Sequence, residues 1–138
     1  MMVWAAGLVR TYWYEWDNTA WGTLWSPTSS TDCTTSFTSG YLCNAATAYQ
    51  QVHDWLVGST LTNCSVSGTT WNCGLSLSNG FPAQILWDTS QTCSNGICGT
   101  TQYPVSATFT QYTDLTGASY AISGSAPVGI KPILLTTQ

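Results

Sequence analysis

The stretch TTWNCGLSLSNGFPAQILWD, residues 69–88, is the part of the sequence that decides the fold class. Two short segments rich in threonine, aromatic and aliphatic residues, TTWNCGLSL and AQILWD, are separated by the turn residues SNGFP. Segments of this kind, bounded by Gly, Asn and Pro, are typical of neighbouring antiparallel strands. The stretch therefore predicts antiparallel β-structure.

The same alternation of short strand-like segments and turn residues continues to the C-terminus. Further segments follow, separated by the turn sequences CSNGIC, TGA and GSAPVG: they are QYPVSATFTQYTDL, ASYAISG and IKPILLT. Short strands at this spacing, with few helix signals among them, are typical of a small sandwich. The sequence thus predicts an antiparallel β-sandwich domain over residues 59–138, with Trp71 and Trp87 in its core.

The N-terminal part has a different pattern. Residues 2–9 resemble the end of a helix, and TYWYEWD at 11–17 alternates as a strand does. A loop rich in Thr, Ser and Gly is predicted over about 18–43. It precedes NAATAYQQVHDWLVG, in which apolar residues recur at helical spacing. The predicted fold class is therefore mainly β: a small antiparallel β-sandwich preceded by an incomplete α/β strand-helix unit over residues 1–58.

Composition excludes several classes of function. Only 6% of the 138 residues are charged, and the net charge is −4. The two basic residues, Arg10 and Lys131, form no stripe that could neutralise phosphates, so no nucleic-acid partner is predicted. No apolar run has the length of a membrane span. The single histidine, His53, and the cysteine spacings match no zinc site, so neither a metal nor a cofactor is predicted.

The cysteines are even in number and fall in close pairs. Local closure loses the least chain entropy, which predicts three local disulfides: Cys33–Cys43, Cys64–Cys73 and Cys93–Cys98. Disulfides persist in oxidising compartments, so an extracellular location is predicted, although the N-terminus lacks the features of a signal peptide. Six free thiols in a cytosolic core are the alternative.

Residues 10–25, RTYWYEWDNTAWGTLW, hold an unusual cluster of aromatic rings around the only glutamate. The candidates for contact with a ligand are its four tryptophans, Trp13, Trp16, Trp21 and Trp25. The candidate working carboxylates are Glu15 and Asp17. Such a cluster faces either packed protein, a partner chain or a ligand. The alternatives are that these rings form core or an interface, and that Glu15 is an ordinary hydrogen-bonded residue.

The order of these motifs resembles a known family. WAAGLVRTYWYEWDN, WGTLW, AYQQVHDWLVG, GTTWNCGLSL, ILWDTS, FTQYTDLTG and VGIKPILL together resemble the C-terminal part of bacterial retaining glycoside hydrolases built on a TIM barrel, similar to family 39 and its relatives. That resemblance covers essentially the whole chain. It implies that 11–17 is the eighth barrel strand, 44–57 the eighth barrel helix, and 60–138 an appended sandwich.

The resemblance has consequences for function. It implies that residues 13–25 lie at the active-site end of a barrel, where aromatic rings stack on the apolar faces of sugars and neighbouring carboxylates bond their hydroxyls. The strands that carry the family's acid/base and nucleophile would precede residue 1. Three classes stay open: a glycoside hydrolase, or its terminal fragment, acting on a β-linked polysaccharide; a non-catalytic carbohydrate-binding module; and a structural accessory domain. The exposed edge of the strand at 11–17 also predicts a homo-oligomer.

Overall fold

The computed structural model describes residues 23–94 and 97–137 of the chain. The chain forms two compact units, Met1–Asp54 and Trp55–Gln138. Within the described residues the structure is mainly β, with a single helix and antiparallel sheets.

In the first unit, the described residues form a small antiparallel sheet. Its strands are β1 (Trp25–Ser26), β2 (Cys33–Phe37) and β3 (Gly40–Cys43), in the order β1-β3-β2. The prediction of a loop over about 18–43 is therefore wrong for this part. This segment is rich in Thr and Ser, which supply few apolar contacts to hold a sheet together. The Cys33–Cys43 disulfide joins two directly paired residues and holds β2 against β3.

The helix α1 (Asn44–Leu56) confirms the predicted helical segment. It follows β3 directly, and the Asn44 backbone N–H donates to the Asp32 carbonyl at 2.7 Å. Trp55 is its buried residue. The helix ends before Gly58, whose φ of 77° is the left-handed conformation that glycine adopts at helix ends.

The second unit is built on a six-stranded antiparallel sheet. Its strands are β4 (Thr60–Ser67), β5 (Thr70–Ser76), β6 (Pro82–Asp88), β10 (Gln111–Thr113), β11 (Ser119–Ala121) and β13 (Ile133–Thr136). Their order in the sheet is β11-β10-β13-β6-β5-β4. Two separate pairs are β9 (Thr100–Pro104) with β12 (Ser125–Gly129), and β7 (Cys93–Ser94) with β8 (Ile97–Cys98). The opening stretch of sequence supplies β5 and β6, which pair along their whole length.

Two predicted segments differ from the observed strands. QYPVSATFTQYTDL is divided between β9 and β10, which lie in different sheets. The predicted turn GSAPVG contains β12, although Pro127 has no N–H to donate. Among the described strands β12 pairs with β9 alone, so it is an edge strand. An edge strand tolerates a proline because the backbone groups on one of its sides have no neighbouring strand to bond.

The core of the second unit lies between the six-stranded sheet and the β9–β12 pair. The residues that form it come from both layers, with Tyr103, Val105, Tyr112 and Ile122 packed around them: Leu86, Phe109, Ala126, Val128, Ile133 and Leu135. Burying each large side chain contributes about 1.5 to 3 kcal/mol. This packing of two antiparallel layers is consistent with the predicted small β-sandwich.

The opposite face of the six-stranded sheet is also apolar. Trp71 on β5 pairs directly with Trp87 on β6, and their rings stack with centroids 5.5 Å apart and an interplanar angle of 5°. Trp87 is buried and Trp71 is half-buried. Cys73 and Ile85, paired on the same face, are buried.

All three predicted disulfides are present. Each joins residues that lie directly opposite each other on adjacent antiparallel strands. Their number indicates an oxidising environment. Among the described residues, no helix has the length and apolar character needed to cross a bilayer.

Candidate functional site

Most of the residues that the sequence predicts for ligand contact and catalysis lie outside the described part of the chain. They are Trp13, Glu15, Trp16, Asp17 and Trp21. Their roles therefore stay predictions, as does self-association through the strand predicted at 11–17.

Trp25 is the one predicted ligand-contacting residue that the structure describes. Its indole ring lies directly on Gly40, where a Cβ atom would overlap the ring. The indole Nε1 donates a hydrogen bond to the Phe37 carbonyl at 3.3 Å. Trp25 thus fastens β1 to the β2–β3 hairpin while staying half-buried, and its contact with a sugar stays a prediction.

A polar cleft of about 450 Å³ lies beside β1 and the start of α1 in the first unit. Several of its polar side chains are already hydrogen-bonded to neighbouring residues. Ser26 Oγ donates to the Thr28 carbonyl at 2.8 Å, and Asn44 Nδ2 donates to Asp32 Oδ1 at 3.4 Å. These bonds stabilise the loop, and they occupy groups that a ligand would otherwise use.

In the second unit, one face of the six-stranded sheet is divided into an apolar half and a polar half. Residues paired across antiparallel strands lie on the same face, so the register places Asn63, Gly74, Gln84 and Leu135 in one row. Leu135 is fully buried in the core against β12. Asn63 is exposed, and Gly74 and Gln84 are half-buried, so the half of the face on β4, β5 and early β6 is accessible to solvent.

An open cleft of about 310 Å³ lies on this polar half. Gly74 lies beneath the Asn63 and Thr62 side chains, because a Cβ there would lie 2.5 Å from Asn63 Oδ1 and 2.6 Å from Thr62 Oγ1. Asn63 and Gln84 line the cleft on either side of this glycine, and Phe109 lines its apolar part. None of the residues that line it is charged.

The amide groups around the cleft have free hydrogen-bonding capacity. Thr62 Oγ1 donates to Asn63 Oδ1 at 3.2 Å, and the Asn63 Nδ2 donors have no partner among the described residues. The Gln84 side chain likewise makes no hydrogen bond within the described part of the chain. Asn72 lies in the next row of the same face, opposite Ser65 in the strand register. Its side chain also makes no hydrogen bond among the described residues. We name Asn63, Asn72 and Gln84 the amide face.

The carboxylate of Asp88, at the end of β6, closes a turn. Ser90 donates to Asp88 Oδ1 through its backbone N–H at 2.9 Å and its hydroxyl at 2.8 Å. Hydrogen bonds lower the pKa of Asp88 to about 2, against an opposing effect of burial. The largest contribution comes from the Ser90 N–H, followed by the Thr69 hydroxyl, the Ser90 hydroxyl and the Gln91 amide. Asp88 therefore stays ionised near neutral pH and is unsuited to act as a general acid.

Asp114 has the same role in the turn between β10 and β11. Burial acts to raise the pKa of this carboxyl group, but hydrogen bonds from Thr116, Ala118 and Tyr120 outweigh it and hold the pKa below its ordinary value. The other two described aspartates also accept hydrogen bonds: Asp32 from Asn44, and Asp54 from its helix neighbour Gln50 at 2.7 Å. None of these four arrangements resembles a pair of carboxyl groups facing each other across a bond.

The amide face was missed by the sequence analysis, although a signal for it is present. In TWNCGLS, residues 70–76, the positions Trp71, Cys73 and Leu75 alternate with Asn72, Gly74 and Ser76. A strand whose second face is polar but uncharged and contains a glycine indicates a close approach by another group.

Comparisons with protein-family models, with curated proteins and with solved structures find no match for this chain.

Proposed function

We propose that this chain binds neutral carbohydrate through the amide face of its β-sandwich. The observation that carries the proposal is the open, uncharged cleft lined by Asn63 and Gln84 on either side of Gly74, where the Asn63 Nδ2 donors and the Gln84 amide have no partner among the described residues. A primary amide has two donors and an acceptor in one plane, which suits the adjacent hydroxyl groups of a sugar. The missing Cβ of the glycine leaves room for the Asn63 side chain to lie over the sheet.

The absence of charge in the cleft favours a neutral ligand. A sulfated or uronate sugar would leave its anionic group without a counter-charge there, and the net charge of the chain, −4, opposes it further. Amides and hydroxyls lose less hydration free energy on binding than ions do. The proposed ligand is therefore an uncharged polysaccharide.

The resemblance to glycoside hydrolases supplies the ligand class. In this proposal the chain is the terminal part of a secreted bacterial enzyme acting on a β-linked polysaccharide, with 1–58 derived from the last unit of a TIM barrel and 59–138 as the appended sandwich. The three disulfides agree with secretion. The candidate residues for hydrolysis by this chain are Glu15 and Asp17, which lie outside the described residues.

The test is titration of the full chain with neutral β-linked oligosaccharides such as xylohexaose and cellohexaose. Gln84→Ala should weaken binding about 5- to 30-fold, because it removes the hydrogen bonds of one amide, worth roughly 1 to 2 kcal/mol. The matched control is Gln102→Ala, which removes an exposed glutamine on β9, outside the cleft. Equal affinity of Gln84→Ala and the unmodified chain would refute this site.

A further inference from the structure

The turn between β10 and β11 is held rigidly by one carboxylate. Asp114 Oδ1 accepts hydrogen bonds from the Thr116 N–H at 2.8 Å and from the Thr116 hydroxyl at 2.6 Å. The Ala118 N–H lies 3.3 Å from the same oxygen. The backbone closes the turn with Asp114 N–H donating to the Ala118 carbonyl at 3.0 Å. The hairpin therefore presents its side chains in a fixed arrangement.

Two tyrosines stack on this hairpin. Tyr112 on β10 lies directly opposite Tyr120 on β11, and their ring centroids are 4.9 Å apart with an interplanar angle of 22°. Tyr112 packs against the core. This packing holds the Tyr112 ring in place against the inner face of the Tyr120 ring. Tyr120 is 46% exposed. β11 is the edge strand of the sheet, so no described strand pairs with it on the side away from Tyr112.

A hydrogen-bond acceptor lies at the rim of this ring. Asp114 Oδ2 is 3.5 Å from the Tyr120 hydroxyl, while the three turn-closing bonds go to Asp114 Oδ1. Oδ2 therefore keeps capacity to accept another hydrogen bond. A planar ring with a carboxylate at its edge matches a pyranose, which has an apolar face of C–H groups and hydroxyls around its perimeter.

We propose that Tyr120 and Asp114 form a second carbohydrate subsite, in which a pyranose ring stacks on the outer face of Tyr120 and donates a hydroxyl hydrogen bond to Asp114 Oδ2. The ligand class rests on the proposed function, but the subsite is separate from the amide face. In the sheet order, β11 lies three strands from β6, which is roughly 14 Å at the usual strand spacing. A change at one site should therefore leave the other intact.

The subsite is tested by affinity electrophoresis of the full chain in gels that contain xylan or mixed-linkage β-glucan. Tyr120→Ala should lower the affinity about 5- to 30-fold, as loss of a contact aromatic does. Tyr120→Phe, which keeps the stacking ring, should retain most of the affinity. The matched control is Tyr49→Ala, because Tyr49 is 44% exposed on α1. Tyr120→Trp, with a larger ring, guards against failure of the alanine variant to fold.

The outcomes separate this subsite from the amide face. Loss of affinity in Tyr120→Ala with retention in Tyr120→Phe and Tyr120→Trp supports the subsite, whatever Gln84→Ala does. Unchanged affinity in Tyr120→Ala overturns it, and so does an equal loss in Tyr120→Phe. If Tyr120→Ala instead abolishes self-association and leaves sugar binding unchanged, the ring is a protein interface and the subsite is wrong. If the unmodified chain binds none of these polysaccharides, both proposals fall.

Discussion

Replacing Gly74 by alanine should separate ligand binding from folding. The added Cβ would lie 2.5 Å from Asn63 Oδ1 and 2.6 Å from Thr62 Oγ1, so each oxygen has to move by about 0.8 to 0.9 Å to reach an ordinary contact of 3.4 Å. Both atoms are at the ends of short, exposed side chains that can rotate. The new methyl group would then displace the Asn63 amide from its position over Gly74.

The expected effect on stability is small. Rotation of Asn63 breaks its hydrogen bond with Thr62, which is exposed and worth about 1 kcal/mol or less. Replacing glycine by alanine also restricts the unfolded chain, which stabilises the fold by about 0.4 to 1 kcal/mol where the backbone conformation is compatible. The φ of Gly74 is not positive, so these effects largely cancel. The free energy of unfolding should change by less than about 1 kcal/mol.

The effect on binding should be large. We expect about a tenfold loss of affinity for a neutral hexasaccharide, because the Asn63 amide is displaced and the hydrogen bonds of one amide contribute roughly 1 to 2 kcal/mol. Isothermal titration gives the affinity and urea unfolding gives the stability. The matched control is Gly99→Ala, whose Cβ would crowd Gln91 Oε1 at 2.8 Å, away from the cleft. Unchanged affinity in a stably folded Gly74→Ala protein would refute the placement of the site.

Two further predictions concern what holds the fold. Replacing Cys64 and Cys73 together by alanine should lower the free energy of unfolding by at least about 2.7 kcal/mol in the chain-entropy model. Replacing Cys93 and Cys98 should lower it by about 2.2 kcal/mol, because their sequence separation is 5 rather than 9. Urea unfolding of the two variants measures both losses, and the reverse order would contradict this prediction. Asp88, with its pKa lowered to about 2, stabilises the fold above its ordinary pKa of 3.8, and this contribution is lost as the pH falls toward 2. Asp88→Asn should therefore be less stable than the unmodified chain near neutral pH, and the difference should shrink between about pH 4 and pH 2; a difference independent of pH would show that the carboxylate charge has no role.

Much of the fold could be predicted because its signals are local. The cysteine pairs are close in sequence, and each pair lies across a tight antiparallel connection, where local closure and strand pairing favour the same bond. The helix at Asn44–Leu56 and the pairing of β5 with β6 also follow from short-range patterns of apolar and turn residues.

The order of the strands could not be predicted, because it depends on contacts that are distant in sequence. β13 lies between β6 and β10 in the six-stranded sheet, and β9 leaves that sheet to pair with β12. Pro127 in the sequence SAPVG indicates a turn, and only an edge position in the sheet makes it compatible with a strand.

The place of the candidate site could not be predicted from the sequence. The resemblance implies a sugar ligand at residues 13–25, which lie for the most part outside the described residues, and the carbohydrate ligand stays a prediction. Which amides are left unpartnered depends on the register that aligns Asn63, Gly74 and Gln84, and on where β9 and β12 cover the sheet. Neither can be read from one strand alone.

The most direct test of carbohydrate binding by the amide face is a two-dimensional ¹H–¹⁵N NMR titration of the full chain with a neutral β-linked hexasaccharide. The measured quantities are the chemical shifts of the side-chain NH₂ groups. Binding by the amide face predicts saturable shifts for the amides of Asn63, Asn72 and Gln84, with little change for Gln102 and for Gln50, which is bonded to Asp54. Saturable shifts elsewhere in the chain, with these three amides unmoved, would contradict it.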